Sequence, residues 1–489
     1  MADTQAETPP STQSTGRLMT ALIVGGITAI LDTTIVMLGL HTLTEQLHAP
    51  VSTIQRVSTG YLLALAIAIP FVSWAQARFG GKRLWLFALG LFILGSTLCA
   101  CAWSAQSLIA FRILQGLGGG IMFPLMQTLA MQHVDRKSMT KIMAIVGLPA
   151  ALGPILGPVL GGLVLNWLDW RWLFLINVPI GAVGWVLAVL FIDRDRPRRE
   201  VSRQRLDIIG VVLLAPALAG LLYGLSNSYD EGGLSRADVL IPGIGGALLL
   251  VGFIIWAIRR ASAALVDVRL LAVRSVRASS IALTFFGATL FAGNFLLPLY
   301  FQVLRGYSAL DAALLLIPQG VGTLLSRVVV GKLVDKFGSR LVAVVGCLVM
   351  AAATVPFALA GSGTNLWLLG TVLFIRGLGN GVVLIPVMTV AYIDIRKDQM
   401  PEASAITRIV QQLGGAFGTA LVAGVLTAAT TQTQPEAAFD AAFWWTIAIT
   451  IAAAVVALLL PAKAQGRARV TDAPDAQGGP VRRREAAAR

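Results

Sequence analysis

The stretch Gly153–Gly162 reads Gly-Pro-Ile-Leu-Gly-Pro-Val-Leu-Gly-Gly and lies inside an apolar run at 142–165. Its glycines recur every four residues, at Gly153, Gly157 and Gly161, with Gly162 following directly. On a helix these glycines form a strip that lets a second helix approach closely in lipid. Pro154 and Pro158 each remove a backbone hydrogen bond, which predicts a kink. The stretch therefore predicts a membrane helix that packs tightly and bends.

The composition indicates an integral membrane protein. Of the 489 residues, 56% are hydrophobic and only 13% are charged, whereas soluble proteins carry about 25% charged residues. Apolar runs of about 20 residues can cross a bilayer core. Fourteen such runs are present: 18–40, 57–77, 84–103, 107–130, 142–165, 171–192, 207–226, 239–258, 279–301, 312–334, 341–360, 366–391, 406–430 and 442–461.

The net charge of +14 is concentrated in alternate loops. The basic loops include 78–83, 136–141, 194–205 and 259–277, whereas the other loops hold few basic residues. This asymmetry follows the positive-inside rule, so it predicts a cytoplasmic membrane protein with both termini in the cytoplasm. Anionic lipid headgroups are the expected partners of this charge, and nucleic acid is not.

The chain repeats itself loosely. Residues 112–124 resemble 374–386, and residues 77–83 resemble 335–340 at almost the same offset. Two halves of six spans, separated by two further spans, account for both offsets. The predicted division is an N-terminus at 1–17, a first bundle at 18–192, a linker at 193–206, an inserted helix pair at 207–258, a linker at 259–278, a second bundle at 279–461 and a tail at 462–489. Both termini are predicted to be disordered.

Five segments, in this order, resemble the fourteen-span drug:proton antiporter branch of the major facilitator superfamily: 31–36, 112–120, 153–162, 170–181 and 297–307. The resemblance implies an all-α integral membrane protein with the major facilitator fold, in which two six-helix bundles are joined by two inserted helices. It implies an exchanger rather than an uptake symporter, because 153–162 is similar to the antiporter motif of that branch. It also places this helix at a flexible seam against the opposing bundle.

The same resemblance assigns gating roles to two cytoplasmic loops. The matching residues in the first loop are Arg78, Gly80, Lys82 and Arg83, and those in the second are Gly331, Asp335, Lys336, Gly338 and Arg340. The first loop has Ser73 and Ala77 where the family usually has Gly and Asp. A charge-paired latch is therefore expected mainly in the second half.

Asp32 is the deepest acidic residue of the predicted spans. An acid inside a membrane is a functional candidate, because burial favours its neutral, protonated form. Arg112 is its expected partner, since both residues fall in the outer half of the membrane and the family pattern brings their spans together. Approach of the guanidinium would expel the proton from Asp32. The alternatives are a structural Asp and an arginine that reaches the outer headgroups.

Polar and aromatic residues within the spans are candidates for a substrate pocket, although each could equally be a helix–helix contact. They are Phe123, Gln127, Asn177, Phe291, Asn294, Tyr300, Gln319 and Gln411. The cysteines and histidines lack the spacing of metal ligands, so no metal is expected. The glycines at 116–120 lie inside an apolar helix rather than after a strand, so no nucleotide site is expected.

These observations favour a non-enzymatic antiporter that needs no cofactor besides a proton gradient. The expected substrates are small lipophilic or amphipathic compounds. With one deep acid, neutral or monocationic compounds are expected to be favoured over dications. A dedicated exporter of one metabolite, such as an antibiotic or a siderophore, would show the same motifs. A receptor without transport activity is a further alternative, and a periplasmic adaptor cannot be deduced from the sequence.

Overall fold

The computed structural model describes residues 12–132, 134, 138–193, 206–227, 236–260, 264–361, 363–430 and 435–461. Nearly all of the predicted linker at 193–206, and the tail from 462 onward, lie outside this part of the chain. So do residues 1–11 of the predicted N-terminus and residues 261–263 of the second linker.

The described residues form nineteen α-helices and no β-strand. The helices of the first half are α1 (Thr12–Leu38), α2 (Leu40–Gln46), α3 (Val51–Ala68), α4 (Phe71–Phe79), α5 (Gly81–Ala100), α6 (Ala105–Gln132), α7 (Met139–Val146), α8 (Leu148–Trp167), α9 (Trp172–Leu175) and α10 (Asn177–Phe191). The remaining helices are α11 (Ile208–Asn227), α12 (Ala237–Arg260), α13 (Arg274–Leu299), α14 (Ala309–Leu315), α15 (Ile317–Phe337), α16 (Ser339–Ala358), α17 (Leu366–Val390), α18 (Met400–Thr430) and α19 (Pro435–Ala457).

Twelve helices in the described part of the chain are long and apolar enough to cross a membrane. A thirteenth span arises if α3 and α4 are taken together, since they are bent by 57° around Pro70. Proline removes one helical hydrogen bond and clashes with the preceding turn, which accounts for this bend. The chain is therefore a multi-pass, all-helical membrane protein.

The helices pack as two bundles that repeat one another. In the first bundle, α6 packs against α3 and α5, while α1 packs against α8 and α10. In the second, α17 packs against α15 and α16, while α13 packs against α18 and α19. Gly80 and Gly338 occupy equivalent positions before α5 and α16, with φ angles of 89° and 83°. This left-handed backbone favours glycine at both turns.

The basic residues after these glycines cap helices of their own bundles. Lys82 Nζ donates to the carbonyl oxygens of Val189 and Ile192, at 2.7 and 2.6 Å, at the end of α10. Arg340 Nε donates to the carbonyl oxygen of Leu460, at 2.6 Å, just beyond α19. Cations at helix C-termini satisfy free carbonyl groups and oppose the helix dipole. In this conformation Lys82 and Arg340 therefore fasten the last helix of each bundle.

The remaining loop residues lie at the surface. Arg78, Arg83 and Asp335 are exposed, and no salt bridge joins Asp335 to another described residue. Lys336 Nζ lies 5.1 Å from the ring centroid of Phe337. Among the described residues, Asp335 therefore has no partner for the expected latch, and the latch stays a prediction.

The glycine strip of α8 packs mainly against α1 of its own bundle. A Cβ atom at Gly153 would overlap Ile30, and one at Gly157 would overlap Thr34. Thr34 Oγ1 also donates to the Gly153 carbonyl oxygen, at 3.2 Å. The expectation that this strip faces the opposing bundle was wrong for these glycines. Further along α8, a Cβ atom at Gly162 would lie 3.1 Å from Leu310 of the second bundle.

The break in this span does not lie at the prolines of the strip. The α-helix continues through Pro154 and Pro158, and the chain breaks instead at Gly147, between α7 and α8. Pro149 occupies the first turn of α8, where a missing N–H group costs little. A proline can bend a helix without ending it, so the kink predicted at Pro154 and Pro158 stays a prediction.

The inserted helices α11 and α12 pack closely against each other, with Gly220 and Gly224 facing Pro242 and Gly243. Helix α11 also contacts α3 of the first bundle and α18 of the second. The inserted pair therefore lies along one side of the junction between the bundles.

Replacing Gly157 with alanine tests the close approach of α8 to α1. The new methyl group would meet the short, branched side chain of Thr34, which cannot swing far, and overpacking of this kind costs about 1–3 kcal/mol. We expect a lower thermal unfolding midpoint in detergent. Gly370→Ala is the matched control, because nothing lies within 4 Å of its added Cβ atom. Equal midpoints for the two variants would contradict this packing.

Candidate functional site

A buried ion pair lies in the first bundle. Asp32 on α1 is 0% exposed and Arg112 on α6 is 1% exposed, and Arg112 Nη1 lies 2.5 Å from Asp32 Oδ2. The two residues are 80 positions apart in the chain, so the pair depends on the packing of the bundle. Either charge alone would be costly at this depth.

Three neutral side chains surround the carboxylate. Gln115 Nε2 and Asn177 Nδ2 donate to Asp32 Oδ1, at 3.0 and 2.9 Å. The same two groups donate to Ser96 Oγ, at 2.9 and 3.1 Å. Ser96 in turn donates to the Phe174 carbonyl oxygen, at 3.0 Å. Residues from α1, α5, α6 and α10 thus hold both carboxylate oxygens in hydrogen bonds.

The guanidinium group is held from the other side by aromatic rings. Its Cζ lies 4.0 Å from the ring centroid of Tyr61 and 5.7 Å from that of Phe174. Arg112 Nη1 also donates to Gln115 Oε1, at 2.8 Å. Cation–π contacts of this kind strengthen when they are removed from water. The arginine therefore has support that does not depend on Asp32.

Two polar atoms in this network lack a hydrogen-bond partner, namely Arg112 Nε and Asn177 Oδ1. Buried polar atoms are nearly always paired with protein groups or ordered water, so these two atoms are the least satisfied part of the network.

Three further arginines lie inside the second bundle, and sequence reasoning did not select them. Arg376 on α17 donates to Gln319 Oε1 at 2.7 Å and to Thr354 Oγ1 at 3.3 Å. Arg408 on α18 donates to Gln411 Oε1, at 3.1 Å. Arg327 on α15 is buried, and its Nε and Nη1 atoms have no hydrogen-bond partner. The sequence could have indicated them, because all three are charged residues within predicted apolar spans.

Four of the eight candidate pocket residues contact buried charges. Asn177 belongs to the network around Asp32. Gln319 and Gln411 accept hydrogen bonds from Arg376 and Arg408. The ring centroid of Phe123 lies 4.5 Å from the Arg408 guanidinium, so this contact joins α6 of the first bundle to α18 of the second.

The other four candidates are dispersed. Gln127 is buried at the junction of the bundles, where its side chain bonds Met388 Sδ at 3.4 Å and Ser404 Oγ at 3.3 Å. Phe291 packs against Gly415, and Asn294 is exposed. Tyr300 is fully buried in an aromatic cluster with Phe301, Phe357, Phe439 and Phe443. Tyr300 therefore does not line an open surface in this conformation.

The sequence profile of the Major Facilitator Superfamily matches residues 22–419, which is most of the chain. The chain belongs to the major facilitator superfamily. It is 35% identical over 422 residues to a multidrug resistance protein B homolog of Mycobacterium tuberculosis, covering 86% of this chain and 78% of that protein. It is 32% identical to a putative multidrug resistance protein MdtD of Serratia proteamaculans, covering 81% and 82%.

Solved structures share the fold at low identity. A double-tryptophan mutant of XylE has a TM-score of 0.64 at 16% identity, covering 91% of this chain and 95% of that one. The human organic anion transporter MFSD10 has a TM-score of 0.62 at 15% identity, covering 91% and 100%. These comparisons confirm that this major facilitator protein is a transporter and not an enzyme, with multidrug-resistance proteins among its relatives.

A double-variant cycle tests the buried pair. Asp32→Asn leaves Arg112 without its counter-ion, and Arg112→Gln leaves Asp32 without its counter-ion. Removing one partner of a buried ion pair costs about 3–5 kcal/mol. We expect each single variant to unfold at a lower temperature than the double variant in the same detergent. Additive losses in the double variant would show that the two residues are not coupled.

Proposed function

We propose that this protein is a proton-coupled antiporter that exports lipophilic or amphipathic compounds across the cytoplasmic membrane. The observation that carries the proposal is the buried Asp32–Arg112 pair. A carboxylate in such a place can exist in two states, charged beside Arg112 or protonated and released from it. A proton carrier needs both states to be accessible, and neither requires a bound cofactor.

The proton acts on the position of α1 in this mechanism. Protonation of Asp32 removes its attraction to Arg112, and α1 is free to shift against α6. The glycine strip of α8 supports the same turn of α1, since its contacts at Ile30 and Thr34 lie on either side of Asp32 in the sequence. A shift at Asp32 is thereby passed to α8, which also contacts Leu310 of the second bundle.

The bundles meet at a polar contact that rocking would have to open. Ser404 Oγ on α18 donates to the Pro124 carbonyl oxygen of α6, at 2.9 Å, and bonds Gln127 as well. In alternating access, two bundles rock about a site near the membrane midplane. We assign Gln127 and Ser404 to the seal that closes one side of that site.

The energy of one proton is sufficient for such export. Each pH unit is worth about 1.4 kcal/mol, and each charge that crosses 100 mV is worth about 2.3 kcal/mol. One proton can thus sustain a substrate gradient of tens- to hundreds-fold, with no ATP and no metal. We further propose fourteen spans, with α7 and α8 together forming the fifth, and both termini in the cytoplasm.

Multidrug-resistance names among the relatives support export of several compounds over transport of one. The second candidate is a dedicated exporter of a single metabolite, since that protein would use the same pair and the same fold. Competition among chemically unrelated substrates separates the two. A receptor without transport would show no proton flux when substrate is added.

Transport by proteoliposomes with an imposed pH gradient tests the proposal. We expect substrate movement by the native protein and loss of its pH dependence in Asp32→Asn, because an amide cannot carry the proton. The readout is the rate with and without the gradient, measured over a panel of dyes.

Asp238→Asn is the matched control, since it makes the same change at an exposed carboxylate on α12 that pairs with Arg236. It should keep the pH dependence of the native protein. Equal coupling in native protein and Asp32→Asn would refute the proposed role of the pair.

A further inference from the structure

Arg376 is a buried cation with no acidic partner among the residues that the structure describes. It is 3% exposed, near the middle of α17. Its hydrogen bonds go to Gln319 and Thr354, which are both neutral, and no salt bridge joins it to an acidic residue among those the structure describes. Its third nitrogen, Nη2, makes no hydrogen bond to them either. Arginine cannot lose its proton under ordinary conditions, so the charge is permanent.

The repeat shows which residue of the first bundle Arg376 replaces. The shared Gly-Leu-Gly pattern places Gly116 of α6 and Gly377 of α17 in register, 261 residues apart. Within this helix pair the same offset places Arg376 at the position of Gln115. In the first bundle Gln115 donates to Asp32. In the second bundle the guanidinium of Arg376 lies directly against Gly293.

The two halves therefore differ in charge at equivalent positions. The first half has a cation and a carboxylate that neutralise each other. The second half has Arg376 in place of Gln115, and the residue of α13 that the guanidinium lies against is Gly293, which carries no charge. An isolated buried charge is costly unless a counter-ion is supplied.

We propose that Arg376 binds a carboxylate, or a similar single anionic group, on an otherwise apolar substrate. Gln319 holds the guanidinium in place through Nη1, and Nη2 is left to donate to the substrate. This inference rests on the proposed transport function and specifies its substrate class. It replaces the expectation of neutral or monocationic substrates, because that expectation was based only on the single acidic residue Asp32.

The neighbouring arginines strengthen the preference. Arg327 and Arg408 also lie within the second bundle, and neither forms a salt bridge with a described residue. Arg408 faces the first bundle through its contact with Phe123. The field inside the second bundle is therefore positive, which repels cations and attracts anions.

Binding of a matched pair of probes to the purified full-length protein tests the assignment. The probes are 7-methoxycoumarin-3-carboxylate and its methyl ester, which differ in one charge. We expect the native protein to bind the carboxylate at least tenfold more tightly than the ester. Arg376→Gln should remove this preference, measured as the ratio of the two affinities within each protein, whereas Arg376→Lys should keep part of it.

Two further variants provide a second test of the site and a control. Gly293→Asp supplies a carboxylate beside Arg376, so it should also abolish the preference; its added Cβ atom meets only the flexible end of the arginine. Arg305→Gln removes a positive charge from the same bundle at a partly buried site, where Arg305 donates to the carbonyl oxygens of Gly361 and Thr364, and it should keep the preference. Equal binding of the two probes by native protein, or an intact preference in both Arg376→Gln and Gly293→Asp, would overturn the proposal.

Binding of chloride alone distinguishes a site for an inorganic anion from a site for a substrate carboxylate. If chloride at millimolar concentration stabilises native protein but not Arg376→Gln, and also abolishes the carboxylate preference, the site takes an inorganic anion and the substrate assignment fails. Transport that depends on Asp32 but shows no preference for the carboxylate refutes only the anion site. Carboxylate binding without proton-driven transport refutes only the antiporter function.

Discussion

The carboxyl group of Asp32 and the guanidinium of Arg112 lie side by side in the interior of the first bundle, where either charge alone would be costly. The neighbouring side chains stabilise this pair of charges. Gln115 and Asn177 donate to Asp32, and Ser96 holds both amides. Tyr61 covers the guanidinium. The glycines of α8 allow α1 to lie close enough for the pair to form a fixed unit. Helix packing and proton chemistry are thus parts of one constraint.

The second bundle repeats the backbone of the first but not its charges. Equivalent turns at Gly80 and Gly338 have nearly the same φ angle, and Lys82 and Arg340 cap the last helices in the same way. At the centre, however, Arg376 takes the position of Gln115, lies against Gly293 and forms no salt bridge with an acidic residue that the structure describes. In the proposed mechanism, the two bundles share a backbone arrangement but have different roles. The first bundle carries the proton, and the second binds the compound that moves in the opposite direction.

The fold could be predicted largely from the sequence, because lipid leaves few choices for a chain with long apolar runs and a repeated glycine pattern. The pairing of Asp32 with Arg112 could be expected for the same reason, since a lone membrane acid needs a partner. The helix that packs against the glycine strip could not be predicted from the sequence. A small-residue strip shows that a helix approaches closely but not which one, and α1 rather than the opposing bundle meets Gly153 and Gly157. Tyr300 and Gln127 illustrate the other limit, because polarity and aromaticity do not distinguish a core contact from a pocket wall.

The central claim is that Asp32 exchanges its proton against substrate. Proton release on substrate addition to purified protein in weakly buffered detergent, followed with a pH-sensitive dye, measures that exchange without a membrane or a gradient. At a pH low enough that Asp32 is protonated before substrate is added, the account predicts substrate-dependent proton release from the native protein and none from Asp32→Asn. Equal proton release from both proteins would contradict it.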